Sequence, residues 1–187
     1  MRARAIGAVA IVAVVALDRA AKALVLADFD ATAAAPAPLT PFLDLALRWN
    51  RGISFSLFAQ ESAAGRWLLL ALTAVVTALI ALWLWRARAL LVGLGLGLII
   101  GGAIGNGYDR LVYGAVVDFL DLHAFGRHFF VFNLADAAIN LGVALLIVDG
   151  LFGAMGYVNY LPAGMAAWSS DVLFGLVGGY LLLRTPT

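Results

Sequence analysis

Aspartates are the residues with the most chemical potential in this chain. Asp18, Asp109, Asp118, Asp121, Asp136 and Asp149 all fall near the ends of long apolar runs. An ionised carboxylate at the edge of a bilayer is expensive, so such a residue is a functional candidate by default. Two of them stand out. Asp118 closes Gly114-Ala-Val-Val-Asp118, just beyond one apolar run, and Asp136 closes Phe132-Asn133-Leu-Ala-Asp136, at the start of the next. Successive runs that cross a membrane put these two residues at the same face. Two carboxylates held close cannot both ionise cheaply, so they share one proton. The ionised member takes a proton from water while the protonated one polarises a carbonyl. That is the chemistry of an aspartic protease.

Spacing alone leaves an ordinary explanation open. Asp118 and Asp121 also suit solvated loop positions. Asp136 also suits the first turn of a helix, where a carboxylate is favoured by the exposed N–H groups and the helix dipole.

Other hydrolytic chemistries lack their parts. The chain has no cysteine, which removes thiolate catalysis, disulfides and cysteine metal sites. No His-Glu-x-x-His is present, so a zinc protease of that type fails. The only histidines are His123 and His128. Ser56, Ser62, Ser169 and Ser170 have no evident general base, and no Gly-x-Gly-Asp occurs. No metal or cofactor is expected. Proton-coupled carriers also use membrane aspartates, but the two halves of the chain show no internal repeat of the kind carriers carry.

The elements that must position these residues are apolar. Hydrophobic residues make up 64% of the 187 residues and charged residues 12%, against about 25% charged in soluble domains. Mean hydropathy is +1.00. Four runs reach spanning length: Ile6 to Leu26, about Trp67 to Trp85, about Leu90 to Asn106, and about Phe130 to Leu151. The first, after Arg2 and Arg4, superficially resembles a signal peptide. Asp18, Arg19 and Lys22 near its end suit a retained helix whose last turns enter a polar site. Six glycines between Gly93 and Gly105 allow close helix packing in the third. The basic residues form no stripe, and no nucleic-acid partner is expected.

Arg2 and Arg4, with Arg86 and Arg88 in the tight turn between the second and third runs, are expected on the cytoplasmic side. Segments 27–66 and 107–129 then face outward, although Arg48, Arg51, Arg66, Arg110 and Arg127 weaken the bias. Ala31 to Pro41 reads as an irregular linker. Phe42 to Trp49 and Ile53 to Phe58 suit a short hairpin around Asn50-Arg51-Gly52. Residues 152–187 form an extension whose apolar stretch, Val172 to Leu183, suits a fifth span or a re-entrant segment equally. The expected fold is an all-α membrane protein. It is a four-helix bundle over residues 1–151, with a small hairpin-containing outer subdomain at about 27–66.

Gly101-Gly102-Ala-Ile-Gly105-Asn106-Gly-Tyr-Asp109-Arg110, continuing through Gly114-Ala-Val-Val-Asp118-Phe119, resembles the long signature of lipoprotein signal peptidases (signal peptidase II). Phe132-Asn133-Leu-Ala135-Asp136-Ala-Ala-Ile139 resembles the second signature of that family, and Asn50-Arg-Gly52-Ile-Ser-Phe55-Ser56 its outer-loop motif. Asp18 and Lys22 resemble the end of its first helix. The resemblance covers about residues 5–150, in order and spacing. Ser54 replaces the usual alanine, and the chain beyond Gly150 has no counterpart.

The resemblance implies a bacterial inner-membrane aspartic endopeptidase. Its substrate would be a diacylglyceryl-prolipoprotein, cut before the lipidated cysteine by a monomer surrounded by membrane lipid. It implies Asp118 and Asp136 as catalytic dyad, and Asn133 as the residue that orients the dyad or a water. Asn106 and Arg110 would hold substrate backbone or loop geometry, and Asn50 would face the site. Asp18 and Lys22 suit a structural ion pair better than catalysis, and Asp109 likewise reads as structural beside Arg110.

Overall fold

The computed structural model describes residues 1–28, 36–52 and 63–157. Four helices form a bundle: α1 (Arg2–Asp28), α2 (Ala63–Arg86), α3 (Leu90–Val112) and α4 (Leu134–Tyr157). Beside them lies an antiparallel sheet of β1 (Ala37–Thr40), β2 (Leu43–Asn50), β3 (Val116–Ala124) and β4 (Arg127–Phe132), in spatial order β1-β2-β3-β4.

Helix α3 is the centre. It packs on α1, α2 and α4, and 61% of its most apolar stretch is buried, against 6% for α2 and 11% for α4. The apolar surface that α2 and α4 leave exposed suits a lipid solvent. These three helices are long and apolar enough to cross a membrane. Helix α1 has the length but carries Asp18, Arg19 and Lys22 in its second half. It runs parallel to α3, with Ala3 against Gly93, Gly7 against Gly97, Val14 against Gly101 and Asp18 against Gly105. The depth that α3 crosses is therefore crossed by α1 beside it.

Two glycines place α3 where the polar residues meet. A Cβ on Gly102 would collide with the Ala135 carbonyl of α4, and one on Gly105 would sit 2.7 Å from Asp18 Oδ2. Small residues at such crossings let backbones approach. At the opposite end, Arg4 stacks 4.7 Å over Trp85, and Ala87 joins Ala3 and Leu84 in the core. Arg2, Arg4, Arg86 and Arg88 thus gather at the end of the bundle away from the sheet.

The structure corrects several expectations. Residues 130–132 end strand β4 rather than begin a span, and α4 starts at Leu134. Helix α3 continues to Val112, through residues expected to lie in an outer loop. Part of the expected linker, Ala37–Thr40, is strand β1. It is an edge strand with an irregular register after Pro38, a setting in which a sheet accommodates a proline. Asp118 and Asp121 are not loop residues: both lie on β3, 2% and 3% exposed. The outer subdomain contains a hairpin from the first outer segment, β1–β2, as expected of its architecture, and extends it to a four-stranded sheet with strands of the second. Of the stretch expected as a strand, Phe42 to Trp49, all but Phe42 lies in β2 (Leu43–Asn50), paired with β1 and β3. Its expected hairpin partner, Ile53 to Phe58, lies outside the described residues, as does 158–187.

Candidate active site

The site forms where the ends of α1, α3 and α4 meet β2 and β3. Each element delivers its residues by its own periodicity. On α3, Asn106, Asp109 and Arg110 are three and four residues apart and share one side of the helix. On β3, Asp118 pairs in register with Arg48 of β2, and Val116 with Asn50. That pairing brings the Asn50 side chain beside Asp118.

Helix α4 opens with a reciprocal cap. Asp136 N–H donates to Asn133 Oδ1 at 2.9 Å, and Asn133 N–H donates to Asp136 Oδ2 at 3.3 Å. This is the capping-box arrangement, with aspartate in the third helical position. The capping role open to Asp136 is therefore real. It occupies one carboxylate oxygen and leaves Oδ1 to accept from Asn106 Nδ2 at 2.8 Å.

Asn133 joins the two aspartates. It is fully buried, and its Nδ2 donates to Asp118 Oδ1 at 2.7 Å while reaching Asn106 Oδ1 at 3.1 Å. Asp118 Oδ2 accepts from Asn50 Nδ2 at 3.0 Å. Burial, reinforced by the charge of Asp136, pushes the Asp118 carboxyl up to about 6, while hydrogen bonds from Asn50 and Asn133 and the charge of Lys22 pull the other way. A buried carboxyl raised by a second carboxylate is the electrostatic condition for a shared proton.

The remaining expected residues take these places. Arg110 Nη2 donates to the Gly52 carbonyl at 2.7 Å, so this guanidinium ties α3 to the segment after β2. Asp18 and Lys22 pair at 2.9 Å, within a larger cluster. Lys22 also reaches Asp109 at 2.7 Å, and Arg19 bridges Asp109 at 2.6 Å and Asp18 at 3.0 Å. Asp109 faces across to α1 rather than pairing with its neighbour Arg110. Arg19, expected with Asp18 and Lys22 at a polar helix end, joins this cluster, whereas its contact with Asp109 on α3 was not foreseen. The histidines sit elsewhere on the sheet, His123 3.0 Å from Asp44 and His128 2.9 Å from Asp121. Among the described residues no three histidine or acidic side chains converge as a metal-binding group.

Among the described residues a cleft lined by Arg48, Trp49 and Phe129 opens at Asp118, and two more open beside Asp136. One, of about 280 Å³, runs between α2, α3 and α4: Leu72, Val76, Ile80 and Ile99 line its apolar length, and Asn50, Asn106, Arg110 and Asp136 its polar head. The second, of about 400 Å³, lies between β4 and α4, lined by Phe130, Phe132, Ala137 and Asn140, and it shares Asn50 and Asp136 with the first.

Comparison with known proteins finds a matching family and similar chains. Residues 10–152 match the family described as Signal peptidase (SPase) II. The lipoprotein signal peptidase of Beijerinckia indica subsp. indica is 50% identical over 149 residues, covering 80% of this chain and 89% of that protein. The lipoprotein signal peptidase of a Methylobacterium species (strain 4-46) is 46% identical over 165 residues, 88% of this chain and all of the relative. A bacterial membrane enzyme solved by the in meso method at 1.9 Å superposes with a TM-score of 0.65 at 26% identity, over 78% of this chain and 92% of that one.

Proposed function

Because the chain belongs to the signal peptidase II family, we propose that Asp118 and Asp136 are its catalytic dyad. The protein is a multi-pass membrane aspartic endopeptidase that removes signal peptides from prolipoproteins before the lipidated cysteine. The observation that carries the residue assignment is the one residue, Asn133, bonded to both carboxylates, to Asp118 through its side-chain Nδ2 and to Asp136 through its backbone N–H. With the raised Asp118 it supports a pair that holds one proton between two carboxyls.

The reaction needs only that pair and a water. The ionised carboxylate removes a proton from the water as its oxygen attacks the scissile carbonyl. The protonated carboxyl gives its proton to the carbonyl oxygen, and a tetrahedral diol forms. Collapse breaks the C–N bond: the proton taken from water goes to the leaving amine of the cysteine, and a diol hydroxyl returns its proton to the carboxylate that had protonated the carbonyl oxygen, leaving the free carboxylic acid and restoring the pair. No covalent enzyme intermediate arises.

The clefts suit the diacylglyceryl-modified substrate. The apolar cleft between α2, α3 and α4 takes the apolar signal segment, with the scissile bond at its polar head. The cleft beyond Asp136, walled by Phe130 and Phe132, takes the lipid-bearing cysteine. The arginine-rich end of the bundle faces the cytoplasm and the sheet faces outward, because short basic turns remain inside. The protein acts as a monomer in the bacterial inner membrane.

The decisive experiment is cleavage of a diacylglyceryl-modified prolipoprotein by purified Asp118→Asn and Asp136→Asn. Each variant should elute from size exclusion like the wild type and be inactive. Turnover by either one rules out the dyad.

A further inference from the structure

The buried ion cluster beneath the dyad has more order than bundle stability requires. Asp18 and Asp109 are fully buried, and Lys22 is 1% exposed. Taking such charges out of water costs about as much as their pairing returns, and apolar residues of similar volume serve stability equally well. Apolar residues cannot accept a hydrogen bond from a backbone N–H, and both aspartates do. Asp18 Oδ1 accepts from Ala135 N–H at 3.2 Å. Asp109 Oδ2 accepts from Val117 N–H at 3.2 Å. These two amides belong to the residues immediately preceding Asp136 and Asp118.

We infer that Asp18, Lys22 and Asp109 form a positioning clamp that sets the separation of the two dyad carboxylates through the backbone amides just before them. The inference rests on the dyad assignment above. Lys22 closes the clamp. Its ammonium group spans Asp18 Oδ2 at 2.9 Å and Asp109 Oδ2 at 2.7 Å. Its remaining contact is Asn106 Oδ1 at 3.3 Å, the amide that donates to Asp136. An ammonium group has three donors, and all three point into this site. Arg19 braces the same two carboxylates from the more exposed side. Consecutive Cα atoms are about 3.8 Å apart across a rigid peptide, so a shift at Val117 or Ala135 passes to the next residue with little loss. Gly105 leaves the space that Asp18 Oδ2 occupies. None of the three clamp residues touches the reacting atoms; they act through Asp118 and Asp136.

The test separates amide anchoring from ion pairing. Asp18→Asn keeps an oxygen for Ala135 N–H and loses the charge; Asp18→Ala loses both. The clamp predicts that Asp18→Ala lowers kcat by about 10²-fold, the size expected of a displacement near 1 Å in a catalytic group, with KM within about twofold. Asp18→Asn should keep at least about tenfold more kcat than Asp18→Ala, although both lose thermal stability in detergent. Equal kcat for the two variants, or an unaltered kcat in Asp18→Ala, overturns the clamp. Asp109→Asn and Asp109→Ala repeat the comparison at Val117 and decide it if Asp18→Ala does not fold. Lys22→Met gives an independent reading through kcat at fixed KM, where an unchanged kcat counts against the clamp. Asp118→Asn in the same assay keeps the two ideas apart: its activity would sink the dyad, whereas the clamp stands or falls on the Asn and Ala pairs.

Discussion

Asn133 donates from Nδ2 to Asp118 Oδ1 at 2.7 Å while its own Oδ1 accepts the N–H of Asp136 at 2.9 Å. One side chain therefore caps α4 and holds a strand residue against it. The cap fixes the rotamer, and the fixed rotamer aims the amide. Asn133→Ala should lower kcat by roughly 10²-fold or more, within the range for a lost acid–base arrangement. It should also cost about 1 kcal/mol of stability from the lost cap. Cleavage kinetics with thermal melting in detergent check both. Asn133→Ser, which retains a capping oxygen but not the donor to Asp118, should recover the stability and not the rate.

Asn50 tests the shared proton. Its Nδ2 bonds to Asp118 Oδ2 at 3.0 Å and so favours the ionised carboxylate. Removing that donor in Asn50→Ala raises the Asp118 carboxyl further above about 6. The loss of the shared proton then occurs at higher pH. The alkaline limb of the kcat/KM profile should move up in Asn50→Ala relative to the wild type. A limb that stays put or moves down would show that Asp118 does not carry the titrating proton.

Stability should depend on pH through the same group. An ordinary aspartate titrates near 3.9, and Asp118 is raised to about 6 in the fold. Between those values the folded protein holds a proton that the unfolded chain has released. The contribution from Asp118 is fully present below about pH 4, is lost as pH rises through about 6, and is flat above. Other carboxylates impose their own slopes, so the useful quantity is the difference in melting temperature between wild type and Asp118→Asn. That difference should fall with pH across this window in favour of the variant.

Arg110 is expected to affect binding more than chemistry. Its guanidinium is bonded to the Gly52 carbonyl at 2.7 Å, which fixes the backbone next to Asn50 over the polar head of the apolar cleft. Arg110→Ala should raise KM by about tenfold and reduce kcat less, the pattern of lost substrate positioning. A pure kcat defect would place Arg110 in the chemistry instead.

Gly105 is where packing and site meet. An added Cβ would crowd the carboxylate of Asp18. Overpacking of this kind costs about 1–3 kcal/mol. Gly105→Ala should lower the melting temperature and the kcat together. Gly107→Ala, which meets nothing within 4 Å on the same helix, should leave kcat unchanged and not lower the melting temperature, because alanine favours a helix over glycine by up to about 1 kcal/mol.

Much of this protein is written in local sequence. Apolar runs of spanning length, separated by short polar segments, determine a helical membrane bundle, because lipid demands that each backbone satisfy its own hydrogen bonds. The two signatures around Asp118 and Asp136 determine the family, since a match of that length in the right order is highly specific. The capping role of Asp136 was legible too, as a property of a helix start. Strand β3 was not read from the sequence: Val116 to Phe119 are buried whichever way their side chains point, so the alternation that marks a half-buried strand is blurred. What only the tertiary structure decided is who meets whom. Asn133 and Asp118 are fifteen residues apart, Lys22 and Asn106 eighty-four, Asp18 and Ala135 one hundred and seventeen. A carboxylate accepts from any donor that reaches it, so sequence offered Asp109 its neighbour Arg110 and the fold gave it Arg19 and Lys22 instead. Hydrogen bonds act over about 3 Å. The helix crossings that create those distances depend on Gly102, Gly105 and their partners on two other helices, which no local window contains.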